Sequence, residues 1–263
     1  MTQLSAPDST LKLLARWTGS VGSGPNQRGN GMTAPRPNAE ALQGKLGEFI
    51  ELLLRANRDH NLTGDRDPLV QWRAHIEDAL ENAILIEKVC GPLTSETRIL
   101  DIGSGAGAPG LIWALLWPHI HVALLESTRK KTDFLLETVQ RLGIAHLSVI
   151  CERAEMLAHD LDHREHYDWV SARALAPLSI LAEWTLPFVK KGGMLFAIKG
   201  ERIDEELKAS RRAFRLLGAP NPPRRLAYTR ADGKSCVLLA FAKSERTPSP
   251  YPRRLGVARK NPL

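Results

Sequence analysis

The chain has 263 residues, 43% hydrophobic and 25% charged, which suits one α/β domain with a modest extension or two small domains. A formal net charge of +7, with basic pairs at 211–212 and 224–225 and a basic C-terminus, points to polyanionic partners. Three isolated cysteines without a C-x-x-C exclude a disulfide framework and a zinc knuckle and fit a reducing cytoplasm. No apolar run reads as a membrane span, and the N-terminus lacks the apolar core of a signal peptide.

Residues 1–38, rich in Gly, Ser, Pro and Asn, read as a mobile N-terminal tail, with Met32 as an alternative start. Residues 39–93 form a small helical N-terminal extension. LQGKLGEFIELLLRANRDHNL has apolar residues at helical spacing, and Asp67-Pro68 opens a second amphipathic stretch that Gly91-Pro92 stops. Over 94–244 the pattern alternates. RILDI (98–102), HVALLE (121–126), HLSVIC (146–151), YDWVSA (167–172) and GGMLFAIKG (192–200) read as strands. Helices are expected over 106–116, from Thr128 to Gly143, from strand four to about Pro187, and from Glu201 to Gly218. This alternation predicts a parallel sheet covered on both faces, a Rossmann-like α/β architecture. RRLAYTR, ADGK and SCVLLAFAK then give an antiparallel hairpin that closes the sheet. Residues 245–263 form a basic C-terminal tail.

Directly after the first strand come Gly103, Gly105 and Gly107, followed by Pro109 and Gly110. Glycine permits positive φ and presents no Cβ, so a ligand can approach the backbone at the carboxyl end of the strand. Glu126, ending the second strand, is placed to accept hydrogen bonds from a ribose diol. A nicotinamide dinucleotide would need amides aimed at its pyrophosphate, where Pro109 has none to give. Asp101 before the first glycine suits a cationic ligand, directly or through water. S-adenosylmethionine, with a sulfonium, an ammonium and no phosphate, is therefore the expected cofactor. No histidine spacing suggests a metal site.

LDIGSGAGAPGL, LLESTRKKTDFL, RAE (153–155), SAR (171–173) and IKG (198–200) together resemble the glucose-inhibited division protein B family, the ribosomal small-subunit RNA methyltransferases G. NLTGDRDP (61–68), HIEDAL (75–80) and YPRRLGVARKNPL resemble its flanking parts, so the resemblance covers roughly 45–263. It implies a class I S-adenosylmethionine-dependent methyltransferase fold and N7-methylation of a guanosine in the 530 loop of 16S ribosomal RNA. It also implies cofactor contacts at Gly103, Ala108, Ala154, Glu155 and Arg173. Two positions depart from the family pattern: Ala56 precedes Asn57 where Trp is common, and Ala108 stands where Leu is common.

Guanine N7 has a lone pair and no proton to lose, so its methylation needs no general base. Arg173, just past strand four, is expected near guanine O6, with a salt bridge as its plainer alternative. Lys199, ending strand five, is expected near phosphate or O6, or simply at the surface. His75 is expected to be a packed histidine bonding Asp78 across one turn. Arg211, Arg212, Arg224, Arg225 and the tail are the expected phosphate contacts. The expected partner is 16S ribosomal RNA or the 30S subunit, met by a cytoplasmic monomer without membrane or metal. Rival readings are a small-molecule methyltransferase, a non-catalytic RNA-binding assembly factor and a NAD-dependent oxidoreductase.

Overall fold

In the strand Arg98–Ile102, Ile99 faces one apolar core and Leu100 and Ile102 face another, as the two-residue period of a strand requires when both faces are covered. The computed structural model describes residues 5–19, 36–91, 93–200 and 203–263. It runs α1 (Asp8–Gly19), α2 (Ala39–His60), α3 (Pro68–Gln71), a π-helical stretch (Trp72–Glu77), α4 (Asp78–Cys90), β1 (Arg98–Ile102), α5 (Gly110–Leu116) and β2 (His121–Glu126). Then come α6 (Arg129–Leu142), β3 (Leu147–Cys151), α7 (Ala154–Leu157), β4 (Tyr167–Arg173), α8 (Leu178–Thr185) and a 3-10 turn (Leu186–Phe188). The chain finishes with β5 (Val189–Gly200), α9 (Asp204–Leu216), β6 (Arg224–Thr229), β7 (Ser235–Ala242) and α10 (Val257–Lys260).

The seven strands lie in the order β3-β2-β1-β4-β5-β7-β6. The first five are parallel, and β7 joins β5 antiparallel with β6 outside it. Strand order therefore reverses beside β1, and the carboxyl ends of β1 and β4 border the crevice where open α/β sheets bind ligands. One face is covered by α2, α4, α5 and α6, the other by α8 and α9.

The helices of 39–93 share a core with the sheet. Leu46, Phe49 and Ile76 are fully buried in one cluster with Trp113, Phe196 and Leu238. Trp113 Nε1 donates to Ala79 O over 3.0 Å, and Trp117 Nε1 donates to Glu87 over 2.8 Å, fastening α5 to α4. Burial of each such side chain is worth roughly 1.5–3 kcal/mol, so the extension is held as firmly as the sheet's own helices.

Three expectations need correction. The mobile tail over 1–38 does not hold for residues 8–19, which form α1. Thr10, Leu14 and Trp17, at helical spacing, are buried against the rest of the chain. Thr10 Oγ1 donates to Glu77 over 2.7 Å, and the Arg36 guanidinium lies 3.7 Å over the Trp17 ring while pairing with Glu87. Residues 1–4 and 20–35 of that tail, and Glu201, Arg202 and Pro92 of the helix limits, lie outside the described residues. The helix expected from 106 starts at Gly110, because Gly107 takes φ +104° and holds the preceding residues in turns. The fifth strand starts at Val189, ahead of the expected 192, because a register shift between Val189 and Met194, opposite Tyr167 and Trp169, keeps its first residues paired with β4. Among the described residues, no helix is long and apolar enough to cross a membrane.

Candidate active site

The glycine loop folds back onto the end of β2. Gly103 and Ser104 donate their backbone N–H groups to Leu125 O, and Gly105 N–H donates to Glu126 Oε2 over 3.0 Å. Thr128 N–H donates to the other Glu126 oxygen over 2.8 Å, so this nearly buried carboxylate fixes loop and helix entry together. A carboxylate has about four acceptor positions, and two are used. Gly103 takes φ +71°, and Leu175, from the segment after β4, lies over it. Ala108 is buried at the cis Ala108–Pro109 peptide beside the loop.

Asp101 is 1% exposed. Oδ1 accepts from Ser171 Oγ over 2.7 Å, and Oδ2 accepts from Gly110 N–H over 3.2 Å. Burial raises its pKa from the ordinary 3.8 to about 6, against the opposing pull of the Ser171 and Gly110 bonds. The structure thus places Asp101 beneath the loop, where it ties β1 to β4 and to the start of α5.

Arg173, at the end of β4, meets the helical N-terminal part. Nη1 donates to Ala74 O over 2.5 Å and to Asp78 Oδ2 over 3.0 Å, and Nη2 lies 3.4 Å from His75 Nδ1. The π-helical stretch prepares this contact. Asp78 N–H donates to Arg73 O rather than to Ala74 O, its α-helical acceptor, and Ala74 O receives the guanidinium instead. The salt bridge weighed as the plainer role of Arg173 is therefore formed. His75 does not bond Asp78 as expected, because Arg173 and Tyr228 take that carboxylate. Burial, aided by the Arg173 charge, lowers the His75 pKa from 6.5 to about 3, so its ring is neutral and accepts.

Lys199 is likewise engaged. Its Nζ donates to Ala176 O over 2.6 Å and to Glu206 over 2.9 Å, joining the segment after β4 to the first turn of α9. Its side chain is 11% exposed. Ala154 opens α7 after β3, at the same edge of the sheet. Glu155 is buried, and its Oε1 accepts from Gly256 N–H at 3.4 Å, turned toward the C-terminal segment.

The basic tail is folded onto the domain. Arg253 makes a forked pair with Glu183, which is fully buried, and Arg164 donates to the carbonyls of Thr247, Pro248 and Tyr251. Arg253 is thus spent within the fold, whereas Arg225 pairs with Asp204 at the exposed surface. Arg211, Arg212, Arg224, Arg254, Arg259 and Lys260 are exposed. Sequence reasoning missed Tyr228, Ser171 and Leu175. Ser171 lies within the SAR motif, whereas Tyr228 has only the alternation of a hairpin strand around it.

The chain matches the family described as rRNA small subunit methyltransferase G over residues 42–222. It is 35% identical over 218 residues to the ribosomal RNA small subunit methyltransferase G of Desulforamulus reducens, covering 82% of this chain and 88% of that one. The protein of the same name from Rubrobacter xylanophilus is 36% identical over 230 residues, 86% of this chain and 85% of the other. Among solved structures, an O-methyltransferase from Bacillus cereus in complex with SAH matches with a TM-score of 0.51 at 19% identity. That match covers 74% of this chain and 91% of that one, and shows a shared Rossmann-like methyltransferase fold. Matched over more than two-thirds of its length, with the glycine loop, HIEDAL and SAR inside the matched region, this chain belongs to the rRNA small subunit methyltransferase G family.

Proposed function

We propose that this chain transfers a methyl group from S-adenosylmethionine to N7 of a guanosine in the 530 loop of 16S ribosomal RNA, acting as a cytoplasmic monomer on the RNA or the 30S subunit. Family membership joined to the glycine loop and Glu126 at the strand-order reversal carries the reading. The loop fits the cofactor in chemistry. Gly103 and Gly105 put no Cβ on its surface, and Glu126 keeps two acceptor positions for a ribose diol.

S-adenosylmethionine supplies a methyl group already activated on a sulfonium. The protein's residues then bind and orient. Glu126 holds the ribose, the loop of Gly103, Gly105, Gly107 and Ala108 passes the methionine part, and the Ala154–Glu155 backbone at the start of α7 reads the adenine edge. Asp101 acts from below by holding Gly110 and Ser171. Arg173 has five N–H donors, of which Ala74, Asp78 and His75 occupy three, and its side chain is 21% exposed. The remaining donors face guanine O6 or the cofactor carboxylate, leaving N7 free to attack. Lys199 holds Ala176 and thereby the segment carrying Leu175 over the loop. Alignment of N7 with the methyl group supplies most of the rate. Arg254, Arg259 and Lys260 on and just before α10, with Arg211 and Arg212 on α9, contact RNA phosphates, which position the RNA without reading its sequence.

The test is transfer of labelled methyl to 16S ribosomal RNA and to 30S subunits lacking the modification, followed by mapping of the label. Label at guanine N7 in the 530 loop is expected. No label on either substrate, with cofactor binding intact, overturns the assignment.

A further inference from the structure

The closing hairpin reaches the helical N-terminal part through one side chain. Tyr228, near the end of β6, donates its hydroxyl to Asp78 Oδ1 over 2.7 Å, while Oδ2 of the same carboxylate accepts from Arg173. Asn82 Nδ2 lies 3.3 Å from the Tyr228 hydroxyl oxygen and donates to it, and also donates to Asp78 O over 2.6 Å. The donor sequence is complete: amide to hydroxyl, hydroxyl to carboxylate, guanidinium to carboxylate. Burial and the Asp78 charge push the Tyr228 hydroxyl far up from its ordinary pKa, which keeps it a donor.

The register shows why a hairpin residue arrives there. Tyr228 pairs with Cys236, and Cys236 pairs with Gly200 at the end of β5. The tyrosine therefore stands at the carboxyl edge of the sheet, where β4 delivers Arg173. Asp78 is 3% exposed, so water does not compete for its oxygens. A carboxylate held at one oxygen only can turn about its terminal torsion and bend its bond to Arg173, one of the three contacts, with Ala74 O and His75 Nδ1, that set the guanidinium plane. Two bonds, from two different elements, remove that freedom.

We propose that Tyr228 is a positioning residue for methyl transfer: through Asp78 it fixes the plane of the Arg173 guanidinium and so aims its remaining donors at the reacting pair. The proposal rests on the role given to Arg173 above. The experiment compares Tyr228→Phe, Arg173→Ala, their combination and Asp78→Asn in steady-state methylation of 30S subunits, run well below each variant's melting temperature. Tyr228→Phe is expected to lower kcat about tenfold with KM for the subunit within twofold, and to add no further loss in the Arg173→Ala background. Asp78→Asn, which keeps the side chain's shape, is expected to lower kcat in the same way. A slow Arg173→Ala beside a Tyr228→Phe at wild-type kcat overturns the proposal, as does a Tyr228→Phe loss that persists undiminished in the combined variant. Arg173→Ala at wild-type kcat overturns the role of Arg173 itself, a result distinguishable from the other two.

Discussion

The Arg173 guanidinium faces the His75 ring across the junction between the sheet and the helical N-terminal part, with Nη2 3.4 Å from Nδ1. A cation bonding an imidazole in this way requires the ring to be neutral. Buried at 7% exposure, His75 resists protonation until about pH 3.

This sets a pH dependence of stability. In the unfolded chain His75 takes up its proton near pH 6.5, while in the folded protein it does so near 3. Between those values the unfolded state binds more protons, so the contribution of His75 to stability is full above pH 6.5 and falls as pH drops toward 3. Replacing His75 with Gln, which also accepts from Arg173, removes that slope. Urea unfolding at pH 7 and pH 4.5 is expected to show the wild type losing roughly 2 kcal/mol more than the variant between the two conditions. Equal losses refute the neutral ring.

Gly103 and Gly110 are needed for different reasons. At Gly103 the backbone takes φ +71°, and an added Cβ would lie 2.5 Å from Leu175 Cδ1. Leu175 is a flexible side chain and can yield, so Gly103→Ala is expected to cost about 1–2 kcal/mol of stability and at least tenfold in S-adenosylmethionine affinity. At Gly110 the φ is ordinary, but a Cβ would meet Asp101 Cβ at 2.6 Å and Leu124 at 2.5 Å. Gly110→Ala forces α5 off β1 and is expected to lower stability more than Gly103→Ala does, as thermal melting of both variants checks.

Glu126 accepts from Gly105 and Thr128 with its two oxygens. Glu126→Gln keeps one acceptor and turns an N–H₂ toward the other amide. Affinity for S-adenosylmethionine, measured by titration calorimetry, is expected to fall at least tenfold. A binding constant unchanged within error would remove Glu126 from the cofactor site.

Arg253 is the sole partner among the described residues for the Glu183 carboxylate, which has no exposure. Arg253→Ala leaves a buried charge unpaired and is expected to destabilise the protein by about 3–5 kcal/mol. Combining Arg253→Met with Glu183→Leu removes both charges and is expected to recover most of that loss in urea unfolding. The tail would then be shown to act first as a structural strap. A loss below about 1 kcal/mol for Arg253→Ala would instead leave it a loosely attached arm.

Local patterning of the chain determined much of this protein. Short continuous apolar runs such as HVALLE and period-3.6 runs such as TRKKTDFLLETVQRL declare their elements because burial of a strand on both faces, or of a helix along one stripe, is a local demand. The glycines after RILDI and the acid closing HVALLE are legible for the same reason: positive φ at Gly103 and a carboxylate at a strand end are set by neighbours in sequence. Helix α1 was legible too, through Thr10, Leu14 and Trp17, but the glycine-rich composition downstream outweighed that short period.

What the chain pairs across long separations was decided only by the tertiary structure. Arg173 and Asp78 are 95 positions apart, Tyr228 and Asp78 150, and Arg253 and Glu183 70. An isolated arginine reads equally well as a substrate contact or an ion pair. Strand order, helix docking and burial choose between them, because a charged group taken from water must find its partner wherever the packed fold places one.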